Sequence, residues 1–143
     1  MSAAGGGASG RRVINPWSWQ DAFGFAQAVE VAGPCRTVFC AGQTSVDDEG
    51  RPLHVGDMRG QVEQALDNLE HVLTAADAGL GDVVRLTYYT TDAGALFGAW
   101  DAVTGRLSRA DCRPASSLVE VRALAFPELL VEIEATAAVA TPA

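Results

Sequence analysis

The longest regular hydrophobic pattern lies in the middle of the chain. Apolar residues recur there every three or four positions, at Met58, Val62, Ala65, Leu66, Leu69, Val72, Leu73 and Ala76. An α-helix turns once in 3.6 residues, so this spacing places them on one face. Asp57 is a suitable N-cap, and Gly79 is a residue type that ends helices. The pattern predicts an amphipathic helix of about 20 residues.

A second, weaker pattern of the same kind follows Asp92, which can cap it. Its apolar stripe consists of Leu96, Phe97, Trp100, Val103 and Leu107. Glycines within the segment each lower helix stability by up to about 1 kcal/mol relative to alanine. The pattern predicts a second amphipathic helix.

Short runs rich in β-branched and aromatic residues predict strands around these helices. The runs are 12–15, 27–31, 36–41, 83–90, 116–122 and 130–138. Gly33-Pro34 is a turn signal and predicts that the second and third runs form a hairpin. After the short first strand the order is ββαβαββ. A strand–helix–strand unit in one sheet should be parallel with a right-handed crossover.

Two amphipathic helices cover only one face of such a sheet. In each of the last two strands we expect the branched apolar set to lie under the helices. These sets are Ser117, Val119 and Val121, then Val131, Ile133, Ala135 and Ala137. The other faces carry Ser116, Leu118, Glu120 and Arg122, then Glu132, Glu134 and Thr136. The side chains of this second face are small or of mixed polarity rather than uniformly charged. Such a surface favours an oligomer interface.

Length and charge narrow the class of protein. The 143 residues suit one domain, and we expect residues 1–11 to be a flexible arm and 12–143 a single domain. The net charge is −8, and all ten basic residues are Arg. This charge argues against nucleic-acid or anionic-membrane partners. No apolar run approaches a membrane span and the N-terminus is unlike a signal peptide, so we expect a soluble, cytoplasmic protein.

Three cysteines without an export signal predict reduced, buried thiols rather than disulfides. His54 and His71 stand apart with no ligand motif near either, so the sequence predicts no metal site. Cys112 has only Arg113 as a basic neighbour, and we expect its thiol to be inert.

The residues alone contain no decisive catalytic motif. Glu132 is the best candidate, because a carboxylate between Val131 and Ile133 at an interface could serve as a general acid or base. An interface ion pair with Arg122 or Arg113 would explain Glu132 equally well. The aromatic cluster at positions 17–25 is either packing or a ligand cage, packing being the commoner role.

Several segments, taken together and in order, resemble the Rid (YjgF/YER057c/UK114) family of reactive intermediate deaminases. The C-terminal signature runs from Pro114 to Leu124 and continues at Val131-Glu132-Ile133. Upstream, 24–28 is similar to the family's Gly-Pro-Tyr-Ser-Gln-Ala stretch, and 39–43 to its Thr/Ser-Gly-Gln strand end. Residues 61–68 match its Gln-x-x-x-x-Leu-x-Asn helix.

This resemblance implies a chorismate-mutase-like α/β fold, with a mixed sheet, two helices on one face and the other face buried in a homotrimer. It also implies hydrolysis of imines and enamines at clefts between subunits, without a metal or organic cofactor. A family Glu positions or activates the water, which assigns that role to Glu132. The remaining pocket positions correspond to Phe25, Ala41, Gly42, Trp100, Ser116 and Ser117.

The chain departs from the family pattern where the substrate is held. Ser116 replaces the Arg that grips a substrate carboxylate, Phe25 replaces a Tyr, Ala41 a Ser and Trp100 an Asn. We therefore expect a bulkier, more apolar cleft that takes a large or carboxylate-free imine. Arg113 is the one nearby cation that could compensate for the lost Arg.

Three functions remain open at this point. The first is an imine or enamine hydrolase in which Glu132 is the base. The second is a binding protein for a small molecule that has lost the chemistry. The third, an endoribonuclease role sometimes attached to the family name, fits poorly with a net charge of −8.

Overall fold

Six strands and three helices occupy residues 10–142, the part of the chain that the computed structural model describes. The strands are β1 (Arg11–Ile14), β2 (Ala28–Val31), β3 (Cys35–Thr44), β4 (Val83–Thr90), β5 (Ala115–Glu120) and β6 (Val131–Ala140). The helices are α1 (Met58–Ala75), α2 (Ala93–Gly98) and α3 (Trp100–Arg109). Most of the predicted N-terminal arm lies outside the described residues, and Arg11 already belongs to β1.

Four of the strands form one mixed sheet in the order β3-β6-β4-β5. β6 runs antiparallel to both of its neighbours, and β4 and β5 are parallel, as expected for strands joined through helices. The helices pack on one face of this sheet, so the predicted α/β class is confirmed. No helix within residues 10–142 is long and apolar enough to cross a membrane.

The predicted hairpin between the second and third strands is wrong. β2 pairs with β1 in a separate two-stranded ribbon, whereas β3 pairs with β6. Gly33 lies at a bend with a φ of 86°, but no hairpin forms there. The reason is length, since β3 and β6 each have ten residues and β2 has four. The long strands satisfy more backbone hydrogen bonds with each other.

The alternation in β6 places its residues as predicted. Val131, Ile133 and Ala137 are fully buried under the helices, and Glu132 and Glu134 lie on the open face. In β5 the predicted faces are reversed: Leu118 packs against the core, and Val119 is 43% exposed. Both faces of β5 carry apolar residues, so alternation alone could not decide between them. Pairing with β4 decides it, because Leu118 lies beside the buried Tyr88.

The predicted second helix is broken at Ala99, whose φ and ψ are −112° and 11°. The Ala99 N–H donates to the Leu96 carbonyl, a tight closing turn that ends α2. After the break, α3 starts at Trp100. Phe97 is therefore 52% exposed rather than part of the core, while Leu96 and Val103 are buried as predicted.

The first helix begins as predicted and ends earlier. The Asp57 carboxylate accepts a hydrogen bond from the Gly60 N–H at 3.0 Å, so Asp57 is the N-cap. The helix stops at Ala75 rather than at Gly79. Asp77 adopts a φ of 55°, the left-handed conformation that terminates helices.

Two amides on α1 tie the helix to the loops around it. Gln61 is completely buried; its Nε2 donates to the carbonyls of His54 and Glu128, and its Oε1 accepts from the Leu130 N–H. Asn68 donates to the carbonyls of Thr44 and Val46, each at 2.9 Å. Gln61 therefore fixes the start of β6, the strand that carries Glu132.

Replacing Gln61 by Leu should lower the free energy of unfolding by about 3 kcal/mol, because three backbone groups lose their buried partner. Urea denaturation measures this change. Glu63→Leu, an exposed substitution on the same helix, is the control and should change stability by about 0.5 kcal/mol or less. Equal stability of Gln61→Leu and wild type would contradict the assigned role.

Candidate functional site

A cavity of about 210 Å³ opens beside β5, at the edge of the sheet. Aromatic side chains supply most of its lining, and two serines and a leucine complete it. The lining residues are Trp19, Phe23, Phe25, Tyr88, Phe97, Trp100, Ser116, Ser117 and Leu118. We call it the aromatic cavity. Four of the predicted substrate-binding residues (Phe25, Trp100, Ser116 and Ser117) thus lie around one space.

Two elements form opposite walls of the aromatic cavity. One wall is a 3₁₀ turn, Trp19–Phe23, together with Phe25, and the other is the junction of α2 and α3. The indole Nε1–H of Trp100 donates to the Phe23 carbonyl at 3.1 Å and joins the walls. The Trp100 ring meets Tyr88 edge-on, with 4.9 Å between ring centroids.

The turn is also attached to the start of β5. The Ala26 N–H donates to the Pro114 carbonyl at 2.9 Å, and Ala26 pairs with Ala115 as a short bridge. Arg113 donates from Nε to the Phe25 carbonyl at 3.2 Å and forms an ion pair with Asp21. Arg113 is therefore occupied in holding the aromatic wall, and its side chain does not line the aromatic cavity.

Glu132 lies elsewhere, on the open face near the start of β6. It is half-buried on β6, between Thr44 of β3 and Tyr89 of β4. Its side chain fills the place that a side chain on Gly42 would need, since a Cβ at Gly42 would be 2.0 Å from Glu132 Oε2. Ala41 is exposed next to this recess, at a bulge in the pairing of β3 with β6. The absence of a side chain at Gly42 thus leaves the space that the Glu132 carboxylate occupies.

The predicted site residues therefore fall into two groups on one chain. Thr87 pairs with both Ser117 and Glu134, so Ser117 lies two strands across and two residues along from Glu132. This is a separation of about 12 Å between backbones. Ser116 faces the helices, as does its partner Leu86, whereas Glu132 faces away from them. A group in the aromatic cavity cannot touch Glu132 of the same chain.

The open face around Glu132 carries mixed charge. Arg85 donates to the Ser117 hydroxyl at 3.0 Å, and the Tyr89 hydroxyl donates to Glu134 Oε1 at 3.1 Å. The hydrogen bond to Glu134, followed by desolvation, raises the pKa of Tyr89. Within residues 10–142 Glu132 forms no ion pair, so neither Arg122 nor Arg113 pairs with it inside one chain.

The other reactive side chains take no part in this site. Burial raises the pKa of the Cys112 thiol to about 12, and burial also raises the pKa of Cys40. Both thiols stay protonated at neutral pH, in line with the inert thiol expected at Cys112, whereas Cys35 is partly exposed rather than buried. His54 and His71 are exposed. Over the described part of the chain no cluster of three or more His, Cys, Asp or Glu residues could hold a metal ion.

Sequence reasoning missed several residues around the aromatic cavity. Tyr88 and Leu118 lie inside strands where only the pairing of β4 with β5 brings them to the cavity. Phe97 belongs to the apolar stripe that predicts the second helix, but it is half-exposed and lines the cavity. The clustered aromatics near position 20 were a usable signal, since Trp19 and Phe23 remain 60% and 40% exposed.

Comparisons with known proteins show the family of this chain. The family model described as Endoribonuclease L-PSP matches residues 20–139. RutC family protein UK114 of Drosophila melanogaster is 38% identical over 102 residues, which are 71% of this chain and 72% of that protein. The 2-iminobutanoate/2-iminopropanoate deaminase of Mus musculus is 34% identical over 83 residues, 57% of this chain and 59% of that protein.

A solved structure extends the agreement to the fold. The Rid-family protein YyfB of Yersinia pestis, itself of unknown function, matches with a TM-score of 0.80 and 40% identity. The match covers 89% of this chain and 97% of that one. The chain belongs to the Rid (YjgF/YER057c/UK114) family and has its chorismate-mutase-like fold.

Substituting Gly42 by Ala should displace the Glu132 side chain while leaving the fold intact, because a flexible side chain can rotate away from the new Cβ. A nuclear Overhauser effect between the Hα protons of residue 42 and the Hγ protons of Glu132 should be strong in wild type and weak in the variant. Gly98→Ala, where no atom lies within 4 Å of an added Cβ, is the matched control. An unchanged contact in Gly42→Ala would refute the recess.

Proposed function

We propose that this protein hydrolyses imines or enamines that carry a bulky apolar body, without a metal or organic cofactor. The reaction takes place at clefts between the subunits of a homotrimer. The observation that carries this proposal is the position of Glu132. Its carboxylate lies in a recess kept open by Gly42 and forms no ion pair within the described chain.

The division of the site between two surfaces supports a cleft shared between copies. The aromatic cavity lies at the β5 edge, and the Glu132 recess lies on the open face between β3 and β4. The open face also exposes apolar surface, including Phe39, which is 80% exposed, and Val119. Contact between the open face of one copy and the β5 edge of another would join the two groups and cover this surface.

Glu132 would act as the base that activates water. As water adds to the carbon of the C=N bond, Glu132 accepts a water proton, the new C–O bond forms, and the π electron pair moves to nitrogen, which receives that proton from Glu132. The resulting amino alcohol then breaks its C–N bond. The bonding pair leaves with nitrogen, the hydroxyl proton passes to it through Glu132, and ammonia and a carbonyl compound are released.

The chemistry of the aromatic cavity supports the bulky apolar body. No charged side chain lines the cavity, and Ser116 provides neither charge nor a two-pronged donor for a carboxylate. Backbone N–H groups near Gly42 and Ser117 would donate hydrogen bonds to the polar end of the substrate. The deaminase activity named for the mouse relative supports the reaction class and leaves the substrate of this chain open.

A second candidate function is a small-molecule binding protein that has lost hydrolysis. The replacement of the family Arg by Ser116 favours it, because the group that orients a carboxylate substrate is missing. A retained Glu132 favours the hydrolase, since an apolar residue would have met a packing role at that position.

The variant Glu132→Gln should lower turnover of a bulky imine by about 100-fold or more, since general bases contribute 10²- to 10⁴-fold. Release of the carbonyl product from imines generated in situ measures turnover. Glu134→Gln, on the same strand and face, is the matched control and should retain activity. Light scattering should give about three times the chain mass of 14.9 kDa for all three proteins. Full activity in Glu132→Gln, or a monomer, would refute this mechanism.

The substitution Ser116→Arg separates the two candidate functions. In wild type, we expect turnover of aromatic or carboxylate-free imines and little turnover of small amino-acid imines. Arg at position 116 should raise activity on the amino-acid imines, because it restores a bidentate carboxylate contact. If wild type hydrolyses none of these imines while Ser116→Arg hydrolyses the amino-acid imines, the binding-protein function is correct.

A further inference from the structure

The aromatic cavity has a lining that selects for a particular kind of chemical group. Six aromatic side chains surround it, and none of its nine lining residues carries a charge. We propose that it binds an uncharged, planar aromatic ring, so that the substrate is an aryl or arylmethyl imine or enamine. The choice of substrate rests on the proposed function, whereas ring binding by the cavity does not.

Charge restricts the occupant first. A carboxylate or phosphate placed in the cavity would lose its hydration without gaining a cationic partner, which is costly. Arg113 is turned away to Asp21, and the guanidinium of Arg85 donates to the Ser117 hydroxyl on the open face. An uncharged group is therefore the occupant that the lining favours.

Hydrogen bonding restricts it further. The Trp100 indole N–H is already used by the Phe23 carbonyl, and the Ser117 hydroxyl already accepts from Arg85. The half-buried Ser116 hydroxyl, the Tyr88 hydroxyl and the Trp19 indole N–H form no hydrogen bond with residues 10–142 and are the polar side-chain groups left for a ligand. A ring with one small polar substituent, such as the carbon–nitrogen group of an imine, matches the few hydrogen-bonding groups that the cavity offers.

The arrangement of the rings favours a flat partner over a saturated one. The Trp19 and Phe25 rings meet at 75° with centroids 5.7 Å apart, and Phe97 meets Trp100 at 57° and 6.0 Å. Within each pair the two rings are tilted rather than parallel, so the two do not turn the same side toward the cavity. An aromatic ring in the cavity can form edge-to-face contacts, whose electrostatic part a cyclohexyl group lacks because it has no π system.

The test compares benzyl alcohol with cyclohexylmethanol, both uncharged, by titration into the full-length protein and measurement of the dissociation constants by NMR. The cyclohexyl compound has the larger apolar surface, so hydrophobic burial alone predicts that it binds more tightly. Ring recognition predicts the reverse, with the benzyl compound favoured by about 2- to 12-fold. Phe97→Leu and Trp100→Leu should each reduce this preference towards one, and Phe126→Leu, an exposed phenylalanine away from the cavity, should not.

Three results would overturn the inference. Tighter binding of cyclohexylmethanol would make the cavity a simple apolar slot. An unchanged benzyl preference in both Phe97→Leu and Trp100→Leu would place ring binding elsewhere. Binding of benzyl alcohol by Phe39→Ser and not by wild type would mean that the exposed Phe39 of a second copy fills the cavity.

Turnover measurements keep the two proposals separable. Hydrolysis of the imines of phenylacetaldehyde and cyclohexylacetaldehyde should follow the same order as binding. Benzyl preference in binding without hydrolysis of any imine would refute the proposed function and leave ring recognition standing. Hydrolysis of both imines at equal rates would refute the assignment of an aryl or arylmethyl substrate and leave the proposed function standing.

Discussion

The rest of the structure depends on the pairing of β6 with two neighbours at once. The last strand of the chain lies between β3 and β4, antiparallel to both, with its backbone bonded on each side. Its strict alternation then sends Val131 and Ile133 into the core and Glu132 to the open face. Any slip by one residue would exchange these faces, so the hydrophobic core itself fixes the position of the carboxylate.

The aromatic cavity depends on backbone carbonyls rather than on core packing. Trp100 and Arg113 donate to the carbonyls of Phe23 and Phe25, and the bridge at Ala26 attaches the same segment to β5. These contacts hold exposed aromatic side chains in place without burying them. The broken second helix contributes as well, because the break at Ala99 brings Trp100 beside Tyr88.

The two parts of the site also differ in what they can do. The aromatic cavity offers contact area and shape, while the Glu132 recess offers a proton acceptor on a surface that also carries Arg85 and the Tyr89–Glu134 pair. A ligand with an apolar end for the aromatic cavity and a polar end for the Glu132 recess would fit both parts. In a trimer, the distance between the two parts would be set by the contact between copies rather than by the fold of one chain.

The sequence by itself determined the elements with strong periodicity and the faces with one-sided polarity. The 3.6-residue repeat of α1 and the alternation of β6 each admit a single placement of most apolar residues, so the buried faces of both were predicted, although Val72 is 37% exposed and α1 ends at Ala75. Tertiary pairing decided what local pattern left ambiguous. β5 has apolar residues on both faces, and only its register with β4 brings Leu118 beside Tyr88 and turns Ser116 to the cavity. The choice of strand partners depends on which backbone N–H and C=O groups, often far apart in the sequence, form hydrogen bonds with each other. That pairing also decides which distant aromatic residues come together, so neither property can be read from a local pattern.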